Sequence, residues 1–288
     1  MPCFVRWPGG GLGKPRDIGG LTHTQDLLPT LLDLCSAGEA KPARKFDGIS
    51  LAPALRGKAA VPENRMLVVN YSRMPGSLDF PTPDSPSILR REGGAVLWKR
   101  WRMLRDSELY NLENDPLQKK NVLDEHPKVS AKMRRHLDDW WASVGDIANE
   151  PQRIIIGSDA ENPMMLTACE WLDVFIDQQG QIRRGALKNG YWELDVAEAG
   201  KYEFELRRWP SEANLALGAA YNGQGALPIG QARLFINHKI TTKPVKPTDK
   251  AATFAVTLPK GPARLHTWFT EQSNRPICGA YYVYVKRL

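Results

Sequence analysis

Cysteine is scarce. Cys3, Cys35, Cys169 and Cys278 are too few and too scattered among 288 residues for a disulfide framework, and no two stand at the C-x-x-C spacing of a zinc or redox site. They read as buried free thiols. Histidine is sparse too: His23, His126, His136, His238 and His266 include no pair at metal-ligand spacing on one helix. The run Gly9-Gly-Gly-Leu-Gly-Lys14 fails as a phosphate-binding loop, because Pro8 and Pro15 stand where Gly and Ser or Thr are needed. The longest uncharged stretch, residues 213–232, carries Asn214, Asn222, Gln224, Gln231, Pro228 and four glycines. These groups are costly in hydrocarbon, so the stretch reads as a loop and no membrane span is expected. The start has no basic region followed by an apolar one, and no export signal is visible. No Ser/His/Asp or Cys/His set is recognisable from spacing.

What remains is an ordinary globular composition, 42% hydrophobic and 25% charged, at a length that suits two domains better than one core. The net charge of +7 is spread evenly, with 22 basic and 19 acidic side chains up to Glu150 and 17 and 13 beyond it. A duplex-binding protein concentrates its cations in a stripe, so no nucleic-acid partner is expected.

Residues 3–7 form a short apolar run closed by Pro8 and three glycines, as in a buried strand that ends in a turn. Leu27, Leu28, Leu31, Leu32 and Leu34 follow helical spacing, with Pro29 tolerable only near the first turn and Gly38 placed to stop the helix. One strand is expected at 66–69 amid polar, proline-rich loops through Pro86. A hairpin follows, pairing 88–91 with 95–104 about a Glu92-Gly93-Gly94 turn. A short strand then runs from Glu108 into an Asn/Asp/Pro turn. Asp124 can cap a helix in which Val129, Met133, Leu137 and Trp140 recur every three or four residues.

Residues 145–151 are the seam, giving domains at 1–148 and 149–288. Beyond it period-two alternation takes over, with strands expected near 192–196, 202–206, 232–236, 253–258, 263–269 and 280–285, an antiparallel sandwich. The expected fold class is α+β, a small antiparallel sheet plus helices followed by an all-β sandwich.

Two groups stand out chemically. Lys99, Arg100, Arg102 and Arg105 alternate imperfectly with Trp98, Trp101, Met103 and Leu104, either as the solvated face of an edge strand or as an anion-binding surface. His23 lies in a polar loop at a helix start, where anions are favoured, and either lines a pocket or is simply solvated.

Four segments carry a resemblance: Pro2-Cys-Phe-Val-Arg-Trp-Pro-Gly, Thr24-Gln-Asp-Leu-Leu-Pro-Thr-Leu-Leu-Asp-Leu-Cys, Phe46-Asp-Gly-Ile-Ser-Leu-Ala-Pro-Ala-Leu-Arg-Gly, and Glu108-Leu-Tyr-Asn-Leu-Glu-Asn-Asp-Pro with Asn121. In this order and spacing they resemble the C-terminal part of an arylsulfatase-type sulfatase over residues 2–142. The resemblance implies hydrolysis of sulfate esters on an alkaline-phosphatase-like α/β fold, with a formylglycine nucleophile made from the Cys or Ser of C/S-x-P-x-R. It further implies that a calcium ion and cationic side chains neutralise the sulfate oxygens in the family enzyme. None of those parts maps onto this chain: no cysteine or serine is followed by Pro at two and Arg at four places. Catalytic residues and metal ligands are therefore assigned to none of these amino acids, and no cofactor is expected within them, calcium being expected of the full-length family enzyme. The family's calcium-binding aspartates and catalytic Lys and His belong upstream, so Met1 reads as an internal methionine and the leucine helix is expected to expose an apolar patch. The family is commonly periplasmic or secreted; this chain itself names no compartment.

The second half resembles sandwich modules appended to carbohydrate-active enzymes, which makes Trp171, Trp192, Trp209 and Trp268 candidate stacking platforms for sugar rings. Trp192 falls on the inward alternation, and Trp209, before Pro210, is the exposed candidate. The partner expected is a sulfated glycan or a small sulfate ester, met at His23, Lys99, Arg100, Arg102 and Trp209. Three readings follow: a portion of a sulfatase that is inactive alone, a non-catalytic binding module for sulfated glycans, or a purely structural remnant.

Overall fold

Helical spacing over 127–144 and strict alternation over 191–207 become a helix and two strands in the computed structural model, which describes residues 3–37, 45–70, 88–171, 174, 176 and 178–288. The described residues fall into two units, one within Met1–Ser72 and Leu89–Asn149, the other within Arg73–Ile88 and Glu150–Leu288. The helix stop expected at Gly38 and the proline-rich loops of 71–87 lie outside the described residues.

In the first unit a 3₁₀ turn at Thr24–Asp26 leads into α1 (Leu27–Leu34), which ends where Ser36 adopts a left-handed φ of 53° and the Ala37 N–H donates to Leu32 O. A single turn, α2 (Ala52–Leu55), follows. Asp26 ties these pieces together. Its buried carboxylate accepts from the backbone N–H of His23 at 2.8 Å and of Ile49 at 3.0 Å, and from both terminal nitrogens of Arg65. Thr30 Oγ1 adds a second link by accepting from Leu51 N–H at 2.8 Å. Gly48 is required there, because a Cβ would meet Gln25 O at 2.0 Å.

The antiparallel sheet of this unit runs β1 (Met66–Asn70), β2 (Gly94–Trp98), β3 (Trp101–Leu104) and β4 (Glu108–Asn111) in chain order. α3 (Pro127–Val144) packs its stripe onto it, burying Met133 and Leu137 with Val96, Met103 and Leu109, while Val129 and Trp140 flank this core. Asn111 and Asp115 serve the turn after β4 by accepting from Glu113 N–H and Lys120 N–H, and Asn121 bridges back to Leu109 N–H and Ser107 O.

Several expectations need correction. Residues 3–7 are not a buried strand: Phe4 is 91% exposed, and no described strand pairs with it. Without a neighbouring strand the backbone of this run has no ladder to join. The hairpin turn lies later than expected, at Lys99 and Arg100. Trp98 pairs with Trp101, and Lys99 takes a φ of 53°. Glu92 and Gly93 instead belong to a 3₁₀ turn, and the partner of β2 on its other side is β1. The cap of α3 is His126, with Pro127 at the first helical position, rather than Asp124. Only Cys278 is buried; Cys3 in a loop, Cys35 at the C-cap of α1 and Cys169 in a 3₁₀ turn at Ala168–Glu170 are exposed free thiols.

The second unit is a β-sandwich built from β5 (Ile154–Ile156), β6 (Met164–Thr167), a short α4 (Gln179–Arg183), β7 (Tyr191–Val196), β8 (Gly200–Arg207), β9 (Gln231–Ile236), β10 (Lys239–Pro244), β11 (Ala252–Leu258), β12 (Gly261–Thr270), β13 (Pro276–Cys278) and β14 (Tyr282–Arg287). One sheet has the order β10-β9-β12-β7-β5, with β13 also on β12; the other has the order β11-β8-β14-β6. All pairs are antiparallel except β5 with β7. Trp192, Leu194, Leu234, Leu265 and Phe269 of the first sheet enclose one core with Tyr202, Phe204, Phe254, Val283 and Val285 of the second. Each of the aliphatic and Phe side chains contributes about 1.5–3 kcal/mol by leaving water. The α+β class and the sandwich expected from the alternation are what the chain forms.

Residues 213–232 are mostly loop, and the buried Arg208 holds this loop in place. Its guanidinium donates to Ala219 O at 3.0 Å, Ile182 O at 3.3 Å and Gly225 O, and lies 4.5 Å from the Trp209 ring. No helix among the described residues is long and apolar enough to cross a membrane.

Candidate functional site

His23 forms the N-cap of the 3₁₀ turn: its Nδ1 accepts from Gln25 N–H at 3.4 Å while its own backbone N–H donates to Asp26. The imidazole is half-buried, and Nε2 is the atom left over for another partner. Lys99 and Arg100 occupy the β2–β3 turn, exposed, and Arg102 projects from β3, half-buried. Arg100 pairs with Glu113 at 3.2 Å and lies 5.3 Å from the Trp101 ring; Arg102 donates to Gln118 Oε1 at 3.2 Å. Lys99 and Lys132 both lie against Trp98, at 5.9 and 4.2 Å, so three cations gather around the turn tip. Among the described residues no hydrogen bond, ion pair or ring contact joins His23 to this group.

Trp209 is not the exposed platform expected. It is 4% exposed and packs 5.9 Å from Tyr221, because the chain leaves β8 inward and the 213–232 loop closes over it. Trp171 and Trp192 are also in the core, 5.5 Å apart. Trp268 is the one of the four that remains partly exposed.

Its neighbours form a surface with chemical content. Leu265, Thr267 and Phe269 of β12 point into the sandwich, so Arg264, His266 and Trp268 point outward. Across the sheet His266 lies beside Tyr191 of β7 and Phe235 of β9, Phe235 beside Ile240 of β10, and Trp268 beside Arg233. The rings form a strip: His266 to Trp268 is 3.9 Å and Tyr191 to His266 is 6.2 Å between centroids. Arg264 lies 4.2 Å from the Tyr191 ring and donates through Nε to Glu193 at 2.8 Å, and Arg233 donates to Asn274 Oδ1 at 3.2 Å. Burial, helped by the Arg264 charge, pushes the His266 pKa down to about 4, so its imidazole is neutral near pH 7. At one end the strip opens into a groove of about 370 Å³ lined by Phe235, Asn237, His238, Pro262 and Arg264 among others. Sequence reasoning named Trp268 but missed Tyr191, Arg233, Phe235, Arg264 and His266. The same parity as Trp268 within the expected strand 263–269 was the available signal for Arg264 and His266.

No group of three or more His, Cys, Asp or Glu side chains converges among the described residues. The carboxylate cluster that calcium sites are commonly built on is therefore not assembled among the described residues.

No family model matches this chain. It is 36% identical over 129 residues to a delta 4,5-hexuronate-2-O-sulfatase of Bacteroides thetaiotaomicron, covering 44% of this chain and 25% of that protein. An endo-4-O-sulfatase of the same organism is 25% identical over 155 residues, covering 51% of this chain and 30% of that one, and a sulfatase of Formosa agariphila is 27% identical over 150 residues, covering 49% and 26%. The chain contains a sulfatase-related region. It spans only about a quarter to a third of the length of these curated relatives. Among solved structures, CBM35 from Cellvibrio japonicus Abf62 aligns with 43% of this chain and 91% of its own at 17% identity and a TM-score of 0.28. Xyl-CBM35 in complex with a glucuronic acid containing disaccharide aligns with 42% and 91%, at 16% identity and 0.28. At such scores the likeness places neither a site nor a ligand.

Proposed function

We propose that the chain is a portion of a sulfatase, a sulfuric ester hydrolase acting on sulfated carbohydrate, and that its first unit is the sulfatase-related region. The 36% identity over 129 residues to a sulfatase of hexuronates carries this reading. Three of the family-like segments support it: Asp26 of the second accepts from Ile49 N–H of the third and from Arg65, and Asp115 of the fourth separately closes the turn after β4. In this reading Lys99, Arg100 and Arg102 supply positive potential toward a sulfate, and His23 Nε2 offers a hydrogen bond. The nucleophile and the calcium ligands are contributed by other residues than these 288, so the chain does not hydrolyse esters by itself. Incubating it with a fluorogenic aryl sulfate and with a 2-O-sulfated unsaturated uronate disaccharide, calcium present, tests this directly. No turnover above buffer is expected. Turnover that survives repurification and disappears in His23→Ala overturns the assignment of the nucleophile elsewhere.

A second reading, a carbohydrate-binding module, is favoured by one observation: the sandwich keeps a strip of rings flanked by arginines on the outside of a sheet. Titration with sulfated and desulfated polysaccharide at two salt concentrations separates the readings, since ionic contacts weaken with salt and stacking mostly does not.

A further inference from the structure

We infer that the outward face of β7, β12, β9 and β10 is a binding surface for an anionic oligosaccharide, a site that rests on the carbohydrate reading above and deepens it. The rings of Tyr191, His266, Trp268 and Phe235 continue into Ile240 across four strands, and with neighbouring strands roughly 4.8 Å apart the strip spans roughly 14 Å. A face of this length, apolar and only partly exposed, matches the flat C–H faces of two or three consecutive sugar rings.

Charge decides which sugar. Arg264 and Arg233 flank the rings on the same face, and each is oriented by one neighbour, Glu193 and Asn274 respectively. A guanidinium has five N–H donors, so both retain donors for a carboxylate or sulfate. His266 stays neutral among them and adds no charge of its own. The adjoining groove places Asn237 and His238 beside Arg264, where a substituent projecting from the glycan edge can be held. Glu193 lies beside the strip, and Arg264 neutralises it. A neutral sugar would leave both arginines without a ligand, whereas a sulfated or uronate-bearing one satisfies them.

Titration calorimetry of the full chain tests this with a chondroitin sulfate hexasaccharide, its desulfated form, cellohexaose and an oligothymidylate. The expected order is sulfated, then desulfated, then cellohexaose. Trp268→Ala weakens binding by about tenfold or more, the factor that corresponds to ~1.4 kcal/mol. Arg264→Gln and Arg233→Gln remove most of the salt dependence, while Lys201→Gln on the opposite sheet, with the same charge change, leaves affinity as it was. Unchanged thermal melting establishes that each variant is folded. Absence of saturable binding, cellohexaose binding as tightly as the sulfated probe, oligothymidylate binding more tightly than either, or Trp268→Ala binding like the parent overturns the site. Should binding instead be lost only on changing Arg100 and Arg102, this site falls while the sulfated-glycan reading stands.

Discussion

Asp26→Asn should strongly destabilise the first unit. The carboxylate is fully buried and receives two backbone N–H groups and both ends of Arg65, itself only 10% exposed. An amide keeps the shape but loses the charge and turns one acceptor into a donor facing donors. Removing one partner of a buried pair costs about 3–5 kcal/mol, since the other charge stays desolvated. Exposed pairs contribute about 0–1 kcal/mol, so Asp33→Asn, which loosens the Arg56 contact at 3.6 Å and leaves an amide oxygen to accept from Ser50 Oγ, serves as the control. The pH dependence has a definite sign. Burial alone would raise the Asp26 pKa, but the Arg65 hydrogen bond and the amides of Ile49 and His23 outweigh it and hold the pKa below the usual carboxylate value. A lowered folded pKa means stability that is present above the unfolded carboxylate pKa of about 3.9 and is lost as pH falls through the folded value. Urea unfolding at pH 7 and in an acid series, with amide exchange followed at Ile49 and Leu51, measures both effects. The parent loses stability in acid, the Asn variant is weaker at pH 7 by roughly 3–5 kcal/mol and loses less on acidification than the parent, the remainder coming from groups such as Asp115 and Glu125 whose pKa values are also lowered, and Ile49 exchanges faster. A variant within about 0.5 kcal/mol of the parent, or one keeping the same acid loss, refutes the reasoning.

Arg208→Lys should destabilise the second unit nearly as much as Arg208→Met, because one ammonium cannot reach Ile182 O, Ala219 O and Gly225 O together; limited proteolysis within 213–232 reads the loosened loop. His266, with its folded pKa lowered from 6.5 to about 4, stabilises the fold fully above pH 6.5 and progressively less as pH falls toward 4, so His266→Phe should flatten the melting temperature over that window. Leu28 and Leu31, 56% and 55% exposed beside Leu27, give α1 an apolar outer face; Leu28→Glu with Leu31→Glu should reduce dye binding and self-association, measured by fluorescence and sedimentation, while leaving the unfolding free energy from urea titration within about 0.5 kcal/mol of the parent.

Much of the architecture was legible because side-chain period is a local property. The stripe at Val129, Met133 and Leu137 and the alternations at Trp192 and Tyr202 each mark one buried face. What was not legible depends on pairing across the fold. The apolar run at Phe4 looks like a strand, yet strand formation needs a neighbour that local pattern does not reveal. Lys99 at positive φ hides a turn in what reads as one basic strand, since turn position there is set by the Trp98–Trp101 register and not by a glycine. β5 and β13 have three residues each, too few for a period to emerge. At the candidate surface, Trp209 was misjudged because its burial comes from a loop folding back from residues 213–232, and the strip around His266 was missed because its members come from three strands distant in sequence.

The most direct measurement joins residues 1–148 to the hexuronate sulfatase in place of that protein's matching quarter, and follows sulfate release from a 2-O-sulfated uronate disaccharide. The account predicts release by the chimera, a reduction on changing Arg100 and Arg102, and none by the present chain alone. Sulfate release by the chain alone, or a chimera that melts cooperatively yet releases none, contradicts it.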